Sequence, residues 1–193
     1  MEMSSPSKEL TGFQRFLQVF VANWRKLAIT MLSLGATPPL LDLAFNIGPP
    51  WPHRKAVAFF TTVVLWLVLL WTYTNWKGAS RRTVRLAVNV FGFGLVLTMP
   101  FYIWTTAYFT RATSSSTDRE VIGITLTKPA QGMVDRGMPI DRIFASAEWE
   151  PTVVWEPGGV AFARLLVLGS WLMLFGLLAT VSACFLLQFE EDS

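Results

Sequence analysis

Residues Ala56 to Tyr73 read AVAFFTTVVLWLVLLWTY, a run of eighteen with no charge, no proline and no glycine. A helix of this composition is apolar all round, so water does not suit it. A bilayer does, because its hydrocarbon core is about 30 Å thick and takes roughly 20 apolar residues to cross. Two further uncharged runs behave alike: Leu86–Phe109, whose far end carries Tyr102, Trp104 and Tyr108, and Leu165–Leu187. The first apolar block in the chain, Leu27–Ile47, is interrupted by Pro38-Pro39 and holds Asp42 in its second half. Proline removes a backbone donor and restricts the residue before it, which predicts a kinked or broken helix, or a re-entrant segment. Four spans are expected, at about 27–47, 56–75, 86–109 and 161–188.

Composition agrees. Hydrophobic residues make up 52% and charged residues 15%, against roughly a quarter charged in soluble domains. Disorder is excluded by that hydrophobicity. Cys184 is the single cysteine, which excludes an internal disulfide scaffold and any cysteine-based zinc or iron–sulfur site within one chain.

Residues 1–26 lack the compact apolar region and small-residue cleavage pattern of a signal peptide. Phe13, Phe16, Leu17, Phe20, Trp24 and Leu27 recur at helical spacing among Gln14, Arg15, Gln18, Arg25 and Lys26. That stripe predicts an amphipathic helix, lying in the membrane surface before turning into the first span or packed on other helices.

Between the third and fourth spans lie about fifty residues, 110–160, too many for a simple turn. Val121–Thr127 alternates apolar and polar residues and predicts a strand, and Thr152–Trp155 predicts a second. Gln131–Ser146 predicts a short helix or two turns, weakened by its glycines. Trp149-Glu150-Pro151 echoes in Trp155-Glu156-Pro157, and both tryptophans are read as an interfacial belt or a partner contact. The segment is too small to bury a core alone. The fold class expected is an all-α integral membrane protein with four transmembrane helices, an N-terminal amphipathic helix and a small extramembrane α+β cap between helices 3 and 4. An acidic tail, 189–193, closes the chain. This order of spans is similar to the tetraspanin layout, but the paired cysteines of that family's large segment are missing, and no family is assigned on it.

Basic residues divide eight against eight between the two sides. The densest group, Lys77, Arg81, Arg82 and Arg85, lies in the short second connection, where the positive-inside rule weighs most. Both termini are therefore expected in the cytoplasm, with a bacterial inner membrane as the prior location. The same group offers a contact for anionic lipid or for an acidic protein partner. Nucleic acid is not expected as a partner, since no aromatic-basic groove is evident.

Catalytic constellations are lacking. One histidine, His53, and one cysteine leave no Ser-His-Asp, Cys-His or histidine-rich metal arrangement, and no cofactor is expected. What remains are polar groups at membrane depth: Asp42, an ionisable residue in a span, and Asn89, either interhelical glue or a pathway residue. Gly92, Gly94, Gly169, Gly176, Ala179 and Ala183 supply small residues for helix packing, within the chain or between copies. The expectation is a non-enzymatic polytopic membrane protein, an oligomeric anchor or sensor or the membrane subunit of a larger complex. The alternative is an ion channel or pore-forming effector, for example of a bacterial defence system.

Overall fold

The computed structural model describes residues 12–45, 48–113 and 119–191. In chain order the helices are α1 (Gly12–Gly35), α2 (Thr37–Phe45), α3 (Arg54–Trp76) and α4 (Arg81–Phe109). Strands β1 (Thr110–Ala112) and β2 (Arg119–Val121) follow, then α5 (Lys128–Asp135), α6 (Ile140–Ser146), α7 (Pro151–Val154) and α8 (Pro157–Glu191). Four stretches are long and apolar enough to cross a membrane: Trp24–Ala44, Lys55–Trp76, Arg81–Phe109 and Pro157–Gln188. The chain is thus mostly helical, with four candidate spans and a two-stranded sheet between α4 and α8.

The helices overrun the apolar runs because arginine forms helix well and its stem can lie along apolar surface. Thus α4 begins at Arg81 instead of Leu86, with Ser80 as N-cap accepting from the Thr83 N–H at 3.3 Å. By the rise of 1.5 Å per residue, α8 with its 35 residues is about 52 Å long. That exceeds the bilayer core, and its first turns belong to the cap. The C-terminal acidic residues as far as Glu191 continue α8. Asp192 and Ser193 lie outside the described residues, as do residues 1–11 of the N-terminal segment.

The N-terminal expectation needs one correction. No turn separates an interfacial helix from the first span, because α1 runs unbroken from Gly12 to Gly35, with no proline or internal glycine to stop it. The break falls at Ala36, just before the Pro38-Pro39 pair, which sits in the first turn of α2. Helical bonding bridges the break, from Ala36 N–H to Leu32 O at 3.1 Å and from Leu40 N–H to Ala36 O at 3.0 Å. Pro39 has no N–H for the Gly35 carbonyl, and the Thr62 hydroxyl of α3 donates to it instead at 2.8 Å. One turn further along α3, Trp66 Nε1 donates to the Met31 carbonyl at 2.7 Å. The kink is therefore fastened to α3 by two side chains, of which Thr62 supplies the donor that Pro39 lacks.

Helix α8 packs along both α3 and α4, while α1 and α2 lie against α3. Its buried positions Ala163, Val167, Trp171, Phe175, Ala179, Ala183 and Leu187 step by four residues. Each step advances about 40° around the helix, so the stripe sweeps round α8 and serves both neighbours. At its centre, Trp171 is fully buried, its ring 4.6 Å from Phe175 and 5.2 Å from Tyr102 of α4. The indole N–H donates to Thr61 Oγ1 of α3 at 2.9 Å, and that hydroxyl donates to the Val57 carbonyl at 2.7 Å. Thr105 and Ser170 hydroxyls meet 3.4 Å apart between α4 and α8. Outward faces of α3 and α4 expose Phe59, Phe60, Leu67, Phe93, Val96 and Ile103, as lipid-facing positions do.

The cap has its own small core of Ile122, Ala130, Ile143, Phe144, Val154, Trp155 and Val160. Strand pairing is shorter than the sequence suggests. β1 continues straight from α4 and pairs antiparallel with β2, Arg111 opposite Glu120. Of Val121–Thr127, only Val121 belongs to the sheet, while Leu126 makes one isolated bridge to Trp155. Thr152–Val154 is not a strand but part of α7, because Pro151 starts a helical turn capped by Glu150, which accepts from the Thr152 hydroxyl at 2.8 Å. The glycines of 131–146 divide two helices instead of preventing them. Gly137, at φ +85°, ends α5 with N–H bonds from Gly137 to Val134 O and from Met138 to Met133 O, the Schellman pattern.

Candidate functional site

Cap and bundle meet around a cleft of about 980 Å³. Its floor is built by the end of α2 and the start of α3, its roof by the turn after α6, and one wall by α8. Asp42, Lys55, Arg119, Glu120, Glu148, Glu150 and Arg164 bring seven charged side chains to this space, beside Trp51 and Trp149. Asp42 is half-buried, and its carboxylate accepts from the Gly48 N–H at 3.1 Å. It therefore lies at the cap end of the first span, not at mid-membrane. Arg164 stacks its guanidinium over the Trp51 ring, 5.1 Å from the centroid. Its Nε is buried with no hydrogen-bond partner among the described residues.

The turn that roofs the cleft is strained. Glu148 and Trp149 are consecutive non-glycine residues at φ 53° and 64°, a conformation costing roughly 1–2 kcal/mol per residue. The fold holds it because Trp149 N–H donates back to Phe144 O at 3.1 Å and the Trp149 ring meets Phe144 edge-on at 5.2 Å. On the other side of Phe144 stands Trp155, 5.0 Å away and only 4% exposed. Trp155 is thus a core residue of the cap, not a contact residue, since burial against Phe144 removes it from the surface. Trp149 is half-buried between that core and the cleft.

A second cavity, of about 500 Å³, adjoins the first and is apolar. It opens between α2, α4 and α8, with Leu95, Met99, Ile103, Leu174 and Leu178 on its walls, and shares Pro50 and Arg119 with the charged cleft. Neither cavity is legible in the sequence, since the walls of the first run from Pro39 to Arg164 and those of the second from Thr37 to Leu178.

The other sequence-chosen residues scatter. Asn89 is exposed on α4, twenty residues before the cap end at Phe109, which is about 30 Å by helix rise. Asp42 and Asn89 therefore do not share a site. Lys77, Arg81, Arg82 and Arg85 are exposed at the end remote from the cap, where Lys77 Nζ lies 5.9 Å from the centre of the Tyr73 ring. Of the small residues, Ala179 and Ala183 are fully buried in the bundle and Gly94 faces Leu177 of α8 at 3.6 Å. A side chain at Gly92, Gly169 or Gly176 would meet nothing within 4 Å, so these glycines mediate no close approach within the described chain. Close approach occurs instead at Gly35, Gly48, Gly123 and Gly159, none of which the sequence singles out. No cluster of three or more His, Cys, Asp or Glu able to hold a metal occurs among the described residues. Comparison with protein-family models, with curated proteins and with solved structures gave no match to this chain.

Proposed function

We propose that this chain is a non-enzymatic membrane anchor or sensor, working as an oligomer or as the membrane subunit of a larger complex. One observation carries this reading: α4 is a single helix from the basic connection at Arg81, through Pro100, to Phe109, and passes directly into β1 of the cap. A displacement of the cap therefore moves the helix that bears Arg81, Arg82 and Arg85. The dense positive charge of that connection favours a cytoplasmic side for it and for both termini, in a bacterial inner membrane. It also suits an acidic partner face.

The test is the mass of the complex extracted in mild detergent, with co-purifying proteins identified. A stoichiometric soluble partner that is lost on Arg81→Glu/Arg82→Glu supports the reading, provided a topology reporter shows the spans unchanged. A bare monomer with no partner overturns it. A channel or pore-forming effector is the second reading, favoured by Asn89, a polar side chain exposed on α4 one turn inward of Arg85. A homo-oligomer that conducts in planar bilayers, with conductance altered by Asn89→Ala and Asp42→Asn, would replace the first reading with the second.

A further inference from the structure

We propose that the two adjoining cavities at the cap boundary are one binding site for a zwitterionic phospholipid of the phosphatidylethanolamine type. The phosphate sits by Arg164 and Lys55, the ammonium by Glu148 and Glu150, and an acyl chain fills the apolar cavity. This stands apart from the anchor reading and does not depend on it.

Four observations converge. First, a polar and an apolar cavity share walls at Pro50 and Arg119, and both volumes, about 980 and 500 Å³, fall in the range of small-molecule sites, about 300–1,000 Å³. A charged compartment opening into an apolar one fits an amphiphile better than a solute that is polar or apolar throughout. Second, the position is right for a headgroup. The charged cleft lies where the apolar runs of α2, α3 and α8 end, flanked by Trp51 and Trp149. Third, Arg164 asks for an anion. Its Nε is buried and without a hydrogen-bond partner among the described residues, and its charge is met on one side by the Trp51 ring. Because Arg164 lines the cleft, its guanidinium can give a phosphate oxygen charge-assisted hydrogen bonds.

The fourth observation selects the headgroup. Among the described residues, three cationic side chains, Lys55, Arg119 and Arg164, face four acidic ones, Asp42, Glu120, Glu148 and Glu150, a net charge of −1 on that part of the lining. A purely anionic headgroup would meet those carboxylates, whereas a phosphate with an ammonium two carbons away satisfies both signs. The strained turn at Glu148 and Trp149 brings a carboxylate and an aromatic face to the cleft together. Strain of this kind persists where the surrounding structure holds it, and it gathers at ligand sites.

The experiment is native mass spectrometry of the full chain released from dodecyl maltoside, with three probes. They are palmitoyl-oleoyl phosphatidylethanolamine, phosphatidylglycerol with the same chains, and glycerophosphoethanolamine, the headgroup without tails. The expected result is one phosphatidylethanolamine retained per chain, at least tenfold tighter than phosphatidylglycerol, and no retention of glycerophosphoethanolamine. Arg164→Gln should weaken phosphatidylethanolamine at least tenfold, and Leu174→Trp, which fills the apolar cavity, should do likewise. Glu148→Gln, at an exposed position where folding is not at risk, should narrow the preference over phosphatidylglycerol. Equal retention of both lipids overturns the headgroup assignment, and binding of glycerophosphoethanolamine alone overturns the tail assignment. Lipid binding unchanged in all three variants shows an annular lipid only and overturns the site.

Discussion

Gly35→Ala is the substitution on which general helix propensity and this structure disagree in sign. Propensity alone favours alanine over glycine by about 1 kcal/mol in a helix. The structure opposes it, because a Cβ at Gly35 would lie 2.5 Å from Trp66 Nε1 and 2.9 Å from Cε2. The indole must move, and its movement breaks the 2.7 Å bond to the Met31 carbonyl. Overpacking of this kind costs about 1–3 kcal/mol, and an interhelical hydrogen bond in a membrane adds about 0.6 kcal/mol. The net expectation is a loss of about 0.5–2.5 kcal/mol, after subtracting the propensity gain. Gly92→Ala is the matched control, since its Cβ would meet nothing within 4 Å and should gain up to about 1 kcal/mol. Both are measured by SDS titration from bicelles, followed by far-UV circular dichroism. Adding Trp66→Phe to Gly35→Ala should recover part of the loss, because the indole edge that clashes is gone. A Gly35→Ala protein as stable as its parent would refute the close approach of α1 to α3 and the fastening of the kink.

Three further outcomes are expected. In a double-mutant cycle of Trp171→Phe and Thr61→Val, the 2.9 Å bond between them should appear as a coupling of about 0.6–1.7 kcal/mol in the same titration; additive effects would show the bond contributes nothing. Gly123→Ala places a Cβ 2.7 Å from Trp155 Cβ and 3.1 Å from the Val160 backbone nitrogen, so limited proteolysis should open the 110–160 segment while bundle helicity persists. Gly137→Ala, at φ +85°, should cost about 1 kcal/mol through left-handed strain alone, and thermal unfolding showing no loss would place that turn elsewhere.

Hydropathy carries the spans: apolar runs mark the four candidate spans, and Pro38-Pro39 marks the kink within two residues of Ala36. Both are local signals, written in composition and in proline's missing donor. Charge does not locate a helix end, as Arg81 inside α4 shows, because charge marks the membrane edge and not the end of hydrogen bonding. The cap strands failed for another reason. Alternation over Val121–Thr127 is real, but a strand needs a partner edge, and only β1 supplies one, for three residue pairs. The pairing of Trp171 with Thr61, 110 positions away, and the joining of Asp42 to Arg164 around one cleft are tertiary facts with no local trace. Asp42 was legible as a residue of interest; its neighbours were not.

The closure of the cap core by Val160, a residue of α8, has a consequence for biogenesis. Chain synthesis delivers residues 110–156 before the helix that completes their core, and Gly123 must be seated against Trp155 and Val160 for the core to shut. The cap therefore waits, already made but unfinished, until the first turn of α8 is laid down. A ribosome stalled before Val160 would leave Ile122, Phe144 and Trp155 accessible to proteases and chaperones, so the emergence of the first turn of α8 is what closes the cap.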